Sequence, residues 1–287
     1  MGVGSPLQDR LLDCTDPDVR ESSLARAAEQ VREGRVVVLP TDTVYGVGAD
    51  AFDVVAVAMV LAAKHRGREM PPPVLVPDAR TVDGLATDVP LYARILMRQF
   101  WPGPLTLVVR AQPSLQWDLG ETNGTVALRM PDDETALLLL AEVGPMAVTS
   151  ANVTGRPAAS TAQEALEQLG GAVAAYLDDG PRTGGLPSTI LDCTGEEPVV
   201  LRAGALSPAD IRGVLGTTVL HDPAEPDEPS EPAEAAEPAE AAEPAEREEA
   251  GERVERVEHD TPGARLVGSV VPSGVSVPAP ALRTLSP

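Results

Sequence analysis

Between Glu231 and Glu246 the hexapeptide Glu-Pro-Ala-Glu-Ala-Ala recurs, placing proline at positions 232, 238 and 244. A six-residue period with a proline in each repeat matches no helical face and interrupts any helix it meets, because the ring clashes with the preceding turn and removes a donor. The stretch around it, 217–287, carries 16 acidic and 5 basic residues in 71 positions and has no aromatic side chain. Such a segment cannot bury enough apolar surface to offset the entropy of ordering, so it reads as a disordered, acidic Pro/Ala/Glu-rich spacer. The foldable part is residues 1–216, room for one domain with its own core.

Charge and cysteine content exclude several classes. The net charge of −22 divides evenly, −11 in the tail (16 acidic, 5 basic) and −11 in residues 1–216. A core of that sign opposes binding to a phosphate backbone. The longest apolar run, Val54 to Ala63, has ten residues, about half of what a membrane-spanning helix needs. No basic region followed by an apolar stretch opens the chain, so no secretory signal is expected. Cys14 and Cys193 stand far apart and two of the three histidines lie in the tail, which leaves neither a disulfide framework nor a Cys/His metal cluster. A reducing, cytoplasmic setting follows as the expectation.

One count stands out. Of 22 basic residues, 21 are arginine and one is lysine, at position 64. Taken alone it is either drift or a group doing what arginine cannot.

Strand and helix signals alternate up to Gly216, which predicts an α/β fold with a twisted mixed sheet and flanking helices. Helices are expected from near Glu21 to Gly34, from an Asp53 cap through Ala63, and over Leu91–Phe100, Asp133–Glu142, Ala162–Leu169 and Pro208–Leu215. Strands are expected at Arg35–Leu39, Val74–Val76, Leu105–Arg110, Thr125–Met130, Met146–Thr149, Ser188–Leu191 and Val199–Arg202.

Three segments carry polar groups at places where open α/β sheets bind ligands. Pro40-Thr41-Asp42-Thr43-Val44-Tyr45-Gly46-Val47-Gly48 follows a buried strand and reads as a loop whose two glycines let a ligand approach the backbone. Lys64-His65-Arg66 ends a helix, where its cations either cap the dipole or, turned outward together, hold an anion; the segment leaves both readings open. Thr149-Ser150-Ala151-Asn152 ends a strand and uses one of only two asparagines in the chain. There is no Walker A sequence, no complete dinucleotide fingerprint and no Gly-x-Ser-x-Gly elbow.

In order and spacing the chain resembles the YrdC-like family of L-threonylcarbamoyladenylate (threonylcarbamoyl-AMP) synthases. Seven segments carry the likeness over roughly residues 20–215: Pro40-Thr41-Asp42-Thr43-Val44-Tyr45-Gly46, Lys64-x-Arg66, Phe100-Trp101-Pro102-Gly103-Pro104-Leu105-Thr106, Thr125-Val126-Ala127-Leu128-Arg129-Met130-Pro131, Ser150-Ala151-Asn152-x-Thr154-Gly155, Ser188-Thr189-Ile190 and Leu201-Arg202-x-Gly204. The resemblance implies a YrdC-like fold and an enzyme, a nucleotidyltransferase. It would make threonylcarbamoyl-AMP and pyrophosphate from L-threonine, bicarbonate and ATP, with Mg2+ expected alongside, for N6-threonylcarbamoylation of adenosine 37 in tRNA. Other proteins, its expected partners, would complete the transfer. It also implies roles: Thr43, Arg129, Thr149 and Ser188 around L-threonine, and Lys64, Arg66, Thr125, Ser150, Asn152 and Arg202 around ATP, with Lys64 and Arg66 as the catalytic cations. Glu69 and Met70 stand where the family often has a polar or basic residue, and Leu75 replaces a histidine of some longer members. Those members carry a folded C-terminal domain where this chain has its acidic repeat. The alternatives weighed are a non-enzymatic double-stranded RNA-binding module, which the charge opposes, and a carbamoyl-transfer domain of hydrogenase-maturation type.

Overall fold

The structure, a computed structural model, describes residues 7–222 except Gly184. They form one mixed sheet of eleven strands. Its first half runs β1 (Leu11–Asp13), β9 (Ala175–Asp178), β2 (Val37–Leu39), β3 (Gly46–Asp50) and β8 (Met146–Ser150). It continues through β4 (Val74–Leu75), β7 (Thr125–Arg129), β6 (Leu105–Ala111), β10 (Thr189–Asp192) and β11 (Val199–Arg202), with β5 (Ala86–Thr87) pairing to β6. Parallel pairs (β1 with β9, β2 with β9, β4 with β7, β6 with β10) are mixed with antiparallel ones, the mixed sheet expected from the strand signals.

Helices cover the first half on both faces. α1 (Pro17–Arg32) and α5 (Glu134–Val143) bury Ala27, Ala28, Val31, Leu139 and Leu140 against Val37, Leu39 and Leu177. On the other face, α2 (Val54–Ala63) and α6 (Ala162–Leu169) bury Val60, Ala165 and Leu166 against Val36, Val38, Val47 and Tyr176. Alternate residues of one short strand thus feed two cores, which is why 36–39 is apolar throughout. The second half differs. α3 (Val82–Leu85), α4 (Leu91–Phe100) and α7 (Pro208–Leu215) pack Val82, Leu96 and Ile211 with Leu105, Leu107, Val126, Leu128 and Leu191, all on one side of the sheet. Among the described residues, the opposite side of β6, β7 and β10 carries no helix.

Helix ends follow local chemistry. Asp53 caps α2 by accepting from Val55 and Ala56 N–H, as expected, and Asp133 and Thr161 do the same for α5 and α6. α1 starts at Pro17, four residues before the expected start, because Asp16 supplies the cap and proline suits the first turn. β1 and β9 were not expected; three and four residues long, they are too short for an alternation to show.

The expected Pro40–Gly48 loop needs correction: its last part is strand. Gly46 and Gly48 belong to β3, and what demands glycine there is the neighbouring strand, since a Cβ on Gly48 would sit 2.5 Å from a Val148 methyl and 2.6 Å from the Ala147 carbonyl oxygen.

Cys14 and Cys193 are buried and unpaired, and burial pushes both thiols up to about 12. Among the described residues no helix is long and apolar enough to cross a membrane.

The packed chain continues past Gly216. Leu220 is 6% exposed, and His221 bridges to Val199 while its Nε2 lies 2.7 Å from Glu197 Oε2. The rest of the acidic tail, with its expected spacer character, lies outside the described residues. A chain ending at Gly216 should therefore be less stable than one ending at Asp222. The expected gap is the about 1.5–3 kcal/mol that burying a leucine contributes, read from urea unfolding midpoints.

Candidate active site

The helix-free side of the sheet is the floor of a cleft of ≈420 Å3. Strand periodicity decides which residues reach it. On β7, Thr125, Ala127 and Arg129 line the cleft, joined by Val126 at its edge, while Leu128 is fully buried behind; on β6, Thr106 and Val108 do so between the buried Leu105, Leu107 and Val109. Ser188 and Ile190, Leu201 and Arg202 form one wall, and the 41–46 segment with Thr149 and Ser150 forms the other. Gly204 keeps the Arg202 wall close, because a Cβ there would overlap the Pro187 and Ser188 backbone.

Of the ten expected site residues, eight line this cleft: Thr43, Arg66, Thr125, Arg129, Thr149, Ser150, Ser188 and Arg202. Arg129, 6% exposed, is held on three sides. Its Nε donates to the Gly103 carbonyl at 3.1 Å, Nη1 to Thr43 Oγ1 at 3.2 Å, and Nη2 to Asp42 Oδ1. Arg66 Nη1 donates to Thr149 Oγ1 at 3.0 Å. Arg202 Nη2 donates to the Ser188 carbonyl at 2.8 Å and to Ser188 Oγ at 3.0 Å, and Ser188 Oγ shares a 2.8 Å hydrogen bond with Thr106 Oγ1. Thr125 spends its hydroxyl proton on the Thr122 carbonyl, 2.7 Å away.

Proton directions in the 41–46 segment can be assigned. Thr41 Oγ1 donates to the Val44 carbonyl at 2.6 Å, since a carbonyl only accepts. In its 3.0 Å contact with Thr43, Thr41 must then accept, so Thr43 donates. With one lone pair taken by Arg129, Thr43 Oγ1 has one acceptor site left, suited to an amine N–H.

Electrostatically the cleft is a trap for anions. Burial lowers the Arg202 pKa, and Arg129 and Arg66 lower it further. Three guanidiniums thus converge, and the lining contains no carboxylate. Among the described residues, no group of three or more His, Cys, Asp or Glu could hold a metal ion. Hydroxyls and guanidiniums do not fit a resident Mg2+ site.

Lys64 and Asn152 stand apart from the other eight, and of the two cations at 64 and 66, for which the sequence leaves capping and outward readings both open, only Arg66 faces the cleft. Lys64 is 2% exposed and does not line the cleft. Its Nζ donates to the Ser150 carbonyl, the Asn152 carbonyl (2.7 Å) and Asn152 Oδ1 (3.1 Å), three acceptors for three N–H groups. Asn152 Nδ2 is spent on the Val153 and Arg156 carbonyls. His65 makes the left-handed turn (φ 53°) after which Arg66, unlike Lys64, reaches the cleft. Burial, then the nearby Arg66, pushes the Lys64 ammonium down to about 8. Its place is a strut beneath the Ser150–Asn152 turn. That geometry suits lysine at this position: three diverging donors on one atom meet three converging oxygens, which a planar guanidinium cannot copy.

Glu69 and Met70 are exposed, and Leu75 is buried at the cleft floor. Sequence reasoning missed Thr106 as a site residue, although the period-two pattern of Leu105 to Val109 points it away from the core. Asp42 stands within its motif with nothing in the sequence to mark its partner.

Lys64→Ala should cost at least the about 1–3 kcal/mol of a buried polar group left unpaired, read by thermal unfolding, and Lys64→Arg should not restore the loss. An arginine variant as stable as the parent would remove the strut.

The Sua5/YciO/YrdC family model, described as "Telomere recombination", matches residues 29–204. A Mycobacterium leprae protein named "Putative threonylcarbamoyl-AMP synthase" is 54% identical over 208 residues, covering 72% of this chain and 94% of its own. The Bacillus subtilis "Threonylcarbamoyl-AMP synthase" is 38% identical, covering 71% of this chain and 60% of that longer protein. Among solved structures, P. abyssi Sua5 complexed with L-threonine superposes with a TM-score of 0.70 at 35% identity, over 74% of this chain and 62% of that one. With the mixed sheet, the one-sided cleft and the co-linear motifs, these likenesses place the chain in the Sua5/YciO/YrdC family.

Proposed function

We propose that the chain is a threonylcarbamoyl-AMP synthase, a nucleotidyltransferase that forms threonylcarbamoyl-AMP and pyrophosphate from L-threonine, bicarbonate and ATP, supplying tRNA threonylcarbamoylation. The observation that carries the reading is the cleft itself: Arg66, Arg129 and Arg202 converge on a small-molecule-sized cavity lined by hydroxyls and no carboxylate, a recess built for anions. Two anionic ligands are expected, an amino-acid carboxylate and a triphosphate. Relatives carrying the synthase name and the threonine-bound Sua5 structure support the choice. The RNA-binding alternative fits less well, because the guanidiniums face a ≈420 Å3 cavity and not an extended surface along which a duplex could lie.

Arg129 receives the threonine carboxylate on its two remaining N–H groups as a fork, and Thr43 accepts from the amine. Ser188 and Thr149 flank the side chain. Arg66 and Arg202 neutralise the polyphosphate, with Thr125 and Ser150 along the nucleotide. Bicarbonate loses hydroxide to give carbon dioxide; the neutral amine nitrogen bonds to its carbon and loses a proton, which leaves with the hydroxide as water, giving a carbamate. A carbamate oxygen then bonds to the α-phosphorus, the bond to the bridging oxygen breaks, and pyrophosphate leaves with the electron pair. Every bond forms between substrates, so the protein's part is to position them and stabilise charge. Lys64 and Asn152 act through the turn that holds Thr149 and Ser150. The acceptors of the product would be the tRNA threonylcarbamoyl-transfer proteins, and the setting cytoplasmic.

Incubation with ATP and bicarbonate plus threonine, serine or no amino acid tests this. Pyrophosphate release should depend on threonine and be accompanied by the acyl-adenylate mass; release indifferent to threonine would overturn it.

A further inference from the structure

Asp42 is the acidic partner of the cleft, yet it does not line it. Its side chain is 13% exposed, against 8% for Arg129. Oδ1 accepts from Arg129 Nη2 and, at 3.1 Å, from the Asp132 backbone N–H, while Oδ2 is buried without a partner. Thr41 and Thr43, its neighbours on either side, line the cleft. Asp42 therefore sits behind the guanidinium. Neither Arg66 nor Arg202 forms an ion pair among the described residues; their partners there are a hydroxyl and the Ser188 backbone and hydroxyl. Three arginines share one cavity, and only Arg129 is ion-paired to a carboxylate behind it; Glu69 acts on Arg66 from outside the cleft lining without a salt bridge.

We propose that Asp42 is a specificity-determining residue that divides the cleft by charge, holding Arg129 for a monoanionic carboxylate and leaving polyphosphate to Arg66 and Arg202. The inference rests on the synthase reading and adds what that reading lacks, a reason why the more highly charged substrate does not occupy both ends. Polyphosphate gains most from unpaired cations; a guanidinium already paired attracts it less, but still offers two directed N–H groups to a planar carboxylate. Three anchors, Gly103 O, Thr43 Oγ1 and Asp42 Oδ1, fix which two N–H groups remain. Asp42 thus sets both the charge and the aim of Arg129 without touching substrate.

The test is equilibrium binding of L-threonine by calorimetry, with inorganic tripolyphosphate as competitor. It needs no turnover, so failure of the chemistry and failure of this selectivity are read separately. In the parent chain tripolyphosphate should displace ATP and leave threonine affinity unchanged. In Asp42→Asn it should compete with threonine, raising the apparent Kd about tenfold or more. Asp42→Glu, which keeps the charge, should resist competition as the parent does even where its threonine affinity falls. A parent chain whose threonine is displaced by tripolyphosphate overturns the proposal, as does Asp42→Asn with unchanged competition. Where Asp42→Asn does not fold, Asp42→Ser takes its place. If no uncharged variant folds, Asp42 is a folding strut and the proposal fails. A parent chain that makes threonine-dependent pyrophosphate yet shows either overturning result keeps its function and loses only the partition.

Discussion

A sheet has two faces to hide, and in this fold only half of the sheet hides both. α1 with α5 and α2 with α6 enclose β2, β3 and β9, whereas α3, α4 and α7 lie on one side of β6, β7 and β10. The helix-free side carries polar groups, Thr106 on β6, Thr125 and Arg129 on β7 and Ser188 just before β10, each hydrogen-bonded within the protein. Val108, Ala127 and Ile190 between them give the floor an apolar ground on which a flat or aliphatic group can rest. The cleft is thus the unpaired face of a core, and its position follows from where the chain runs out of helices.

That position dictates the treatment of charge. Cations beside a low-dielectric floor pay for desolvation, as the lowered pKa directions of Arg66, Arg129 and Arg202 record. The fold answers mainly with carbonyl and hydroxyl oxygens: Gly103 O for Arg129, Ser188 O for Arg202, Thr149 Oγ1 for Arg66 and three oxygens for Lys64. Neutral acceptors orient a guanidinium without quenching it. Asp42 is the exception at the cleft, and its placement behind Arg129 keeps it from occupying the fork meant for a ligand.

How much of this was legible in the sequence depended on the kind of information each feature needs. Asp53, a ten-residue apolar run and a basic stop define α2 locally, so its ends were read correctly. Gly46 and Gly48 look the same whether a ligand or a strand approaches them, and only the pairing of β3 with β8 decides; the sequence reading chose the ligand. Residues drawn together by the family likeness fell into one cleft in eight cases of ten. The rarity of Lys64 marks the position but not its direction, which depends on oxygens some 86 residues away, just as the left-handed turn at His65 that aims Arg66 at the cleft carries no mark in the sequence. Asp42 lay inside the first motif with no sign that it pairs across to position 129, a contact set by the register of β7 against the rest of the sheet.

The cleft's own inventory argues for chemistry between ligands. Its polar lining offers hydroxyls whose protons are mostly committed elsewhere: Thr41 to Val44, Thr43 to Thr41 and Thr125 to Thr122. A hydroxyl already donating is a fixed acceptor, poor as a nucleophile without a base beside it and good as a positional marker. An α-amino acid carries its amine and carboxylate on a single carbon, so a site for it needs an acceptor and a donor side by side. Thr43 Oγ1 and Arg129 Nη1 stand 3.2 Å apart with one free acceptor site on the first and a free N–H on the second. Their bond to each other prevents either from drifting, and Asp42 and Gly103 hold the guanidinium from behind. A reaction whose barrier is chiefly the cost of assembling three small molecules is one that such a preset pair can accelerate by geometry.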